Sequence, residues 1–301
     1  MIKIQLASLL LLLSFAVHAQ TEYYSLNSPD SNVHWKVKPQ AETDTDSLQL
    51  FRSDYPLKDW VDAIVPGTVF SSYVAAGLEK DPNFGDNIYQ VDKTKYDRSY
   101  WYRTEFSVPA SFTQEKIWLH FQGINRRGEV FLNGHRLGLL DGFMHRGKFD
   151  ITALINPAGR NVLAVLVQTP QHPMANFASP TYICSGGWDW IPYVPGLNSG
   201  INDKVFLSNS GPVTLEDPWI RTLLPTNARA DLVIAVTAKN NSSAQQEVTL
   251  KGVIQPGSIE FTQKISIAPH RPAEIKLDKS DFPQLVIHNP LLWWPNGYGA
   301  P

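Results

Sequence analysis

The chain has 301 residues, 43% of them apolar and 18% charged, with a formal net charge of −2 and one cysteine. These ordinary fractions exclude a long disordered chain, and a near-neutral balance without a long basic run argues against a nucleic-acid partner. A lone cysteine excludes an intrachain disulfide, so the excess of nine tryptophans and eleven tyrosines becomes the informative feature: such rings fill cores and also present flat apolar faces to ligands.

Residues 1–19 read as a cleaved secretory signal. Lys3 gives a positive start, "LASLLLLLSFAV" an apolar run, and Val17-His18-Ala19 a small-x-small ending before Gln20. The run is too short to span a bilayer, which sets aside a membrane anchor, and no cysteine stands at the cleavage point to carry a lipid. The expectation is an exported protein, periplasmic or extracellular, with no membrane span. What remains is enough for about two domains.

Strand patterns dominate those domains. Only "PGTVFSSYVAAGL" (66–78) has helical spacing, through Val69, Tyr73 and Leu78, with Pro66 and Gly67 to open it. "SYWYRTEFSV" alternates, placing Tyr100, Tyr102, Thr104, Phe106 and Val108 on one face and Trp101, Arg103 and Glu105 on the other. "KIWLHFQG" does the same, with Ile117, Leu119 and Phe121 set against Trp118, His120 and Gln122. "EVFLNGHRLG" predicts a hairpin, because Asn133-Gly134 tolerates the positive φ angles of a type I′ turn. "FDITALINPAGRN" has room for one helical turn near Asp150 or Thr152, and "NVLAVLVQT" (161–169) is apolar enough to be covered on both faces. Residues 20–210 are therefore expected to form an antiparallel β-sandwich with a short helix packed on it.

A second all-β unit is expected over 211–301. "PWIRTLL", "DLVIAVTAKN", "QEVTLKGVIQ", "SIEFTQKISIA" and "PAEIKLD" are five regularly spaced strand candidates, with "PQLVIH" a sixth. The spacing predicts an immunoglobulin-like sandwich, a fold of about seven strands, without the antibody Cys and Trp markers. The run "NPLLWWPNGYGAP" places Trp293 and Trp294 near the end, where natural termini are usually polar. The expectation is a sandwich cut before its last strand; the alternative is that these aromatics fold back onto it.

Two stretches carry candidate chemistry. In "CSGGWDWIPYVPGLNSGIND" (184–203), Trp188 and Trp190 flank Asp189 in a run too rich in glycine and proline for a long helix or central strand. A ring can stack on the C–H face of a pyranose while the carboxylate accepts two hydroxyl hydrogen bonds, strengthened by its charge. The competing reading has both tryptophans plugging the end of the sandwich and Asp189 capping a turn. In "KDPNFGDNIYQ" (80–90), Asp81, Asn83, Asp86 and Asn87 crowd a glycine-containing loop. It lacks the spacing and terminal Glu of a calcium loop, so side-chain turn formation comes first and the edge of a sugar site second. Cys184 has only scattered histidines as bases and reads as a buried inert thiol. Glycosidic cleavage uses two carboxyls about 5 to 9 Å apart, and no such pair stands out: Glu105, Glu129 and Glu260 lie within strands and are expected to face water. Phosphate loops, zinc spacings and serine elbows are missing as well, so no catalytic residue, metal or cofactor is expected.

The ordered set "DPNFGDN", "YDRSYWYRTEF", "VFLNGHRLGLLDGFMHRGKFDIT", "GRNVLAVLV", "GGWDWIPYVPGLNSGI" and "NPLLWWPNGYG" resembles glycoside hydrolase family 2, in its β-mannosidase, endo-β-mannosidase and exo-β-glucosaminidase branch. The resemblance runs from about residue 30 to the end. It implies a jelly-roll, galactose-binding-type sandwich, then an immunoglobulin-like one, then a TIM barrel bearing both catalytic glutamates, which would lie beyond Pro301. It also implies that Asp189 reaches into the barrel's active site to hold the sugar being cleaved, and that Trp188 and Trp190 shape this contact. Asn83 and Asp86 would lie near the same pocket. Mannoside, glucosaminide and other β-glycosides stay unseparated, and a self-contained carbohydrate-binding module is the alternative function.

Overall fold

The computed structural model describes residues 22–28, 33–43, 49–113, 115–142, 144–168 and 198–299. The leader at 1–19, Cys184, Trp188, Asp189 and Trp190 lie outside the described residues. The first unit contains β1 (Glu22–Ser25), β2 (Trp35–Pro39), β3 (Val61–Ala63), α1 (Val69–Ala75), β4 (Tyr100–Phe106), β5 (Lys116–Phe121), β6 (Arg127–Leu132), β7 (His135–Asp141), β8 (Gly147–Asp150), β9 (Asn161–Gln168) and β10 (Val205–Ser210). These form two antiparallel sheets, β1-β10-β5-β8 and β3-β2-β4-β9-β6-β7. Alternation sends Tyr100, Tyr102 and Phe106 of β4 and Leu163, Val165 and Val167 of β9 into the space between the sheets, against Leu119, Phe121 and Leu207. Each such side chain contributes about 1.5–3 kcal/mol by leaving water.

The outer face of β4 is buried too, which alternation alone does not predict. Residues 49–60 lay Leu50, Phe51 and Trp60 across Trp101, Ala164 and Leu166. Arg103, fully buried, donates to the carbonyls of Leu50 (3.0 Å) and Arg52 (2.7 Å) and to Glu105 (2.8 Å). Glu105 accordingly does not face water: its side chain is 14% exposed and also accepts from Arg160 at 3.2 Å. β9 is covered on both faces, as its apolar run predicts.

Local signals are met at several points. Asn133 and Gly134 have φ of 49° and 84° and join β6 to β7. After β8, Asp150 Oδ1 accepts from Thr152 N at 3.0 Å, and one turn closes through Ile155 N to Ile151 O at 3.0 Å. The opening of α1 differs from expectation: the cap is Thr68, whose hydroxyl accepts from Ser71 N while the Ser71 hydroxyl accepts from Thr68 N. α1 buries Val69, Phe70 and Ser72, and the chain turns at Gly77 (φ 71°), leaving Leu78 exposed.

The second unit contains β11 (Val213–Thr226), β12 (Arg229–Asn240), β13 (Gln246–Ile254), β14 (Ile259–Ile267), β15 (Pro272–Leu277) and β16 (Val286–His288). One sheet has the order β11-β12-β15, with β16 also on β12, and the other is β13-β14. Leu232, Val236, Phe261, Ile267, Ile275 and Leu277 form the core between them. β11 begins five residues before its apolar "PWIRTLL" run, because a register shift between Glu216 and Trp219 carries the strand past Asp217 (φ 51°) and Pro218. Trp293 and Trp294 are exposed. No helix among the described residues is long and apolar enough to cross a membrane.

Candidate functional site

The stem of the segment that carries Trp188, Asp189 and Trp190 is well defined. Gln168, at the end of β9, pairs with Arg127 of β6. On the return, Gly200 bridges Asn125, with N···O distances of 2.9 and 2.8 Å. Both ends of the 169–197 segment therefore leave the sandwich beside one short stretch, Asn125 to Arg127. Asn125 is fully buried; its Nδ2 donates to Asn198 O at 3.0 Å, and Ser199 Oγ donates to Asn125 O at 3.3 Å. Val69 N donates to Ser199 O (2.9 Å) and Gly67 N to Ile201 O (2.8 Å), so the opening turn of α1 grips the stem. Pattern reading misses Asn125 and Gly200, because the contact closes across 75 residues.

The 80–90 loop leaves the other end of α1, a helix about 10 Å long by its seven residues. Asp81 Oδ1 accepts from Asn83 N (2.9 Å) and Asn83 Nδ2 (3.1 Å), and Asn87 Nδ2 donates to Asp81 O at 2.8 Å. Gln90 Nε2 donates to Asp86 Oδ1 at 2.9 Å, and Lys80 Nζ to Gln90 Oε1 at 3.1 Å. These side chains brace the loop as Asx turns do. Asn83 and Asp86 remain exposed on it, and the stem and this loop are thus carried on one short helix. Among the described residues no three His, Cys, Asp or Glu side chains cluster as metal ligands would.

Electrostatically, the described carboxyls with a displaced titration all move down. Burial pushes the Asp150 carboxyl up, but hydrogen bonds from Thr152 and Lys116 outweigh it, and the net shift is downward. Hydrogen bonds from Arg229 and Lys279 hold Asp231 low. A glycosidic general acid needs the opposite displacement.

His120 behaves differently. Its ring stacks on Phe206 at 4.5 Å and bonds Ser208 Oγ at 2.8 Å. Burial, then the neighbouring Lys148 charge, lowers its pKa from 6.5 to about 4. Between those values the unfolded chain holds a proton that the folded chain lacks, so stability falls as pH drops through this window and is unaffected above it. We expect His120→Gln to remove that slope: the difference in melting temperature between wild type and variant should shift toward the variant from pH 7 to pH 4.5. A pH-independent difference would contradict the assignment.

Residues 35–202 match the glycosyl hydrolase 2 galactose-binding domain-like model, and residues 213–301 match the glycosyl hydrolases family 2 model. The chain belongs to glycoside hydrolase family 2. Among family relatives, the exo-β-D-glucosaminidase of Streptomyces avermitilis is 31% identical over 88% of this chain and 29% of that protein. The mannosylglycoprotein endo-β-mannosidase of Lilium longiflorum is 31% identical over 88% of this chain and 30% of that protein. The crystal structure of the Amycolatopsis orientalis exo-chitosanase superposes with a TM-score of 0.75 at 22% identity, over 92% of this chain and 30% of that one; at that identity it shows the fold. The chain thus spans about 30% of the length of the relatives it matches. Its architecture is a galactose-binding-like sandwich followed by an immunoglobulin-like one, as the family 2 resemblance implied.

Proposed function

We propose that this chain is the N-terminal, non-catalytic portion of an exported retaining β-glycosidase acting on β-mannoside- or β-glucosaminide-type bonds. One observation carries the reading. Relatives with these printed activities are 31% identical over 88% of the chain, while most of their own length lies outside the match. The signal-like leader supports export.

In this reading the two carboxyls that break the bond belong to a C-terminal TIM barrel. One attacks the anomeric carbon while the other protonates the departing oxygen; water then releases the sugar from the enzyme, so configuration is retained. This chain's part is to hold the substrate. The Asp189 carboxylate accepts hydrogen bonds from sugar hydroxyls, Trp188 and Trp190 shape the contact, and Asn83 and Asp86 stand at its edge. Gripping of the stem by Asn125 and the opening of α1 favours this use, since a substrate-holding group must be positioned by a rigid scaffold. Neither a metal nor a cofactor has a part in it.

The test is hydrolysis of p-nitrophenyl β-D-mannoside and β-D-glucosaminide by the longer protein, with the product anomer followed by proton NMR. A first-formed β anomer, and no hydrolysis by the 301-residue chain alone, is the expected result. An α product, hydrolysis by this chain alone, or inertness of the longer protein toward both would overturn it.

A further inference from the structure

The strand edges of the second unit are protected unequally. β11 is interrupted by the register shift between Glu216 and Trp219, with Pro218 and the left-handed Asp217 inside it; bulges and prolines keep an edge strand from recruiting a neighbour. β15 is short and opens with Pro272. The outer side of β14 meets residues 282–285: Phe282 packs on Phe261 at 5.4 Å, and Gln284 Nε2 donates to Glu260 O at 3.1 Å. β13 has none of these devices. It holds nine consecutive pairs with β14, from Gln246↔Ile267 to Ile254↔Ile259, without a shift or a proline. Among the described residues no strand pairs with its other side, so every second residue of β13 points its N–H and C=O away from a ladder partner.

The core thins toward that edge. Leu232, Val236 and Ala238 of β12 and Phe261 and Ile267 of β14 are buried, whereas Val248, Leu250 and Ile254, the apolar residues that β13 adds to the same core, are only half-buried. A cleft of about 410 Å³ opens there between β11 and β13, walled by Val213, Leu215, Ala238, Val248, Leu250 and Ile265. A free backbone edge beside an apolar cleft fits a β-strand, whose backbone extends the ladder while every second side chain enters the core. Six strands of this unit are described, against about seven in an immunoglobulin-like sandwich.

We propose that β13 is paired by a β-strand of the same polypeptide, supplied by the residues that follow Pro301, and that the apolar side chains of this strand fill the cleft between β11 and β13. This pairing rests on the reading of the chain as the N-terminal portion of a longer protein, and adds where and in which direction the next element docks. Residues 241–245 join β12 to β13 at one end of the sandwich. The chain reaches the opposite end at Asn289, whose N–H donates to Ala228 O at 2.8 Å in the β11–β12 turn. A strand entering from that end starts beside Ile254 and runs antiparallel to β13. Its apolar residues recur at every second position, on the face that Val248 and Leu250 share.

The test is residue-resolved hydrogen exchange, read by mass spectrometry, across Glu247–Val253 in the longer protein and in the 301-residue chain. In the 301-residue chain every second amide should exchange freely. In the longer protein those same amides should slow at least about tenfold, leaving the whole run protected. Persistent alternation in the longer protein would overturn the docking; glycoside hydrolysis by that same protein would then leave the proposed function intact. A stop codon directly after Pro301 would overturn both. Protection of the whole run already in the 301-residue chain would overturn the proposal too, and dimers in ultracentrifugation would then assign the edge to a second copy.

Discussion

Asp189→Ala in the proposed longer glycosidase should lower kcat/KM by about 100-fold or more. Two hydroxyl hydrogen bonds to a charged carboxylate contribute about 1.5–3 kcal/mol each, and each 1.4 kcal/mol is a tenfold change. The loss should appear without a change in melting temperature, since in the proposed reading the Asp189 carboxylate serves the substrate and not the fold. Asp189→Asn separates charge from shape: it keeps one acceptor oxygen and should fall between the two. A wild-type-like kcat/KM for Asp189→Ala would remove this residue from the site and leave the competing reading, in which it caps a turn.

Gly200→Ala is expected to give the largest structural effect near the site. A Cβ there would stand 2.4 Å from Gly67 O, 2.8 Å from Thr68 Cα and 3.0 Å from the Tyr102 hydroxyl. Two of these are backbone atoms at the opening of α1, which cannot turn aside as a flexible side chain can. Overpacking of this kind costs about 1–3 kcal/mol, or about 2–12 °C in a domain of this size at 2–4 °C per kcal/mol. The same push would separate the stem from the opening of α1. Gly211→Ala is the control, because nothing lies within 4 Å of its added Cβ. Equal melting temperatures for Gly200→Ala and Gly211→Ala would show that the stem is not clamped as described.

These two predictions also mark what reading the chain alone reaches. Near-neighbour chemistry was visible: the Asn133-Gly134 turn, the alternation of β4 and β5, the doubly covered β9 and the regular strands of the second unit each follow from a few adjacent residues. The 80–90 loop was readable as Asx-braced for the same reason. Long-range layers were not. Glu105 sits in an alternating strand and reads as solvent-facing until the carbonyls of Leu50 and Arg52, more than fifty positions away, fold onto its neighbour Arg103. Likewise nothing near Asn125 announces that it will bridge Gly200. The start of β11 was missed because Pro218 and the left-handed Asp217 look like a strand boundary, whereas the strand absorbs them as a bulge. For the site itself, the sugar-like character of Trp188-Asp189-Trp190 came from residue chemistry, and its weight came from the ordered family motifs.

The central claim is that this chain holds substrate for catalytic carboxyls supplied by the same polypeptide. Determining the reading frame beyond the codon for Pro301 tests it most directly. The account predicts that the frame continues through a further β-strand into a barrel-length region with two glutamates at strand ends. A stop codon directly after Pro301 would contradict it, and the chain would then be a carbohydrate-binding module without catalysis.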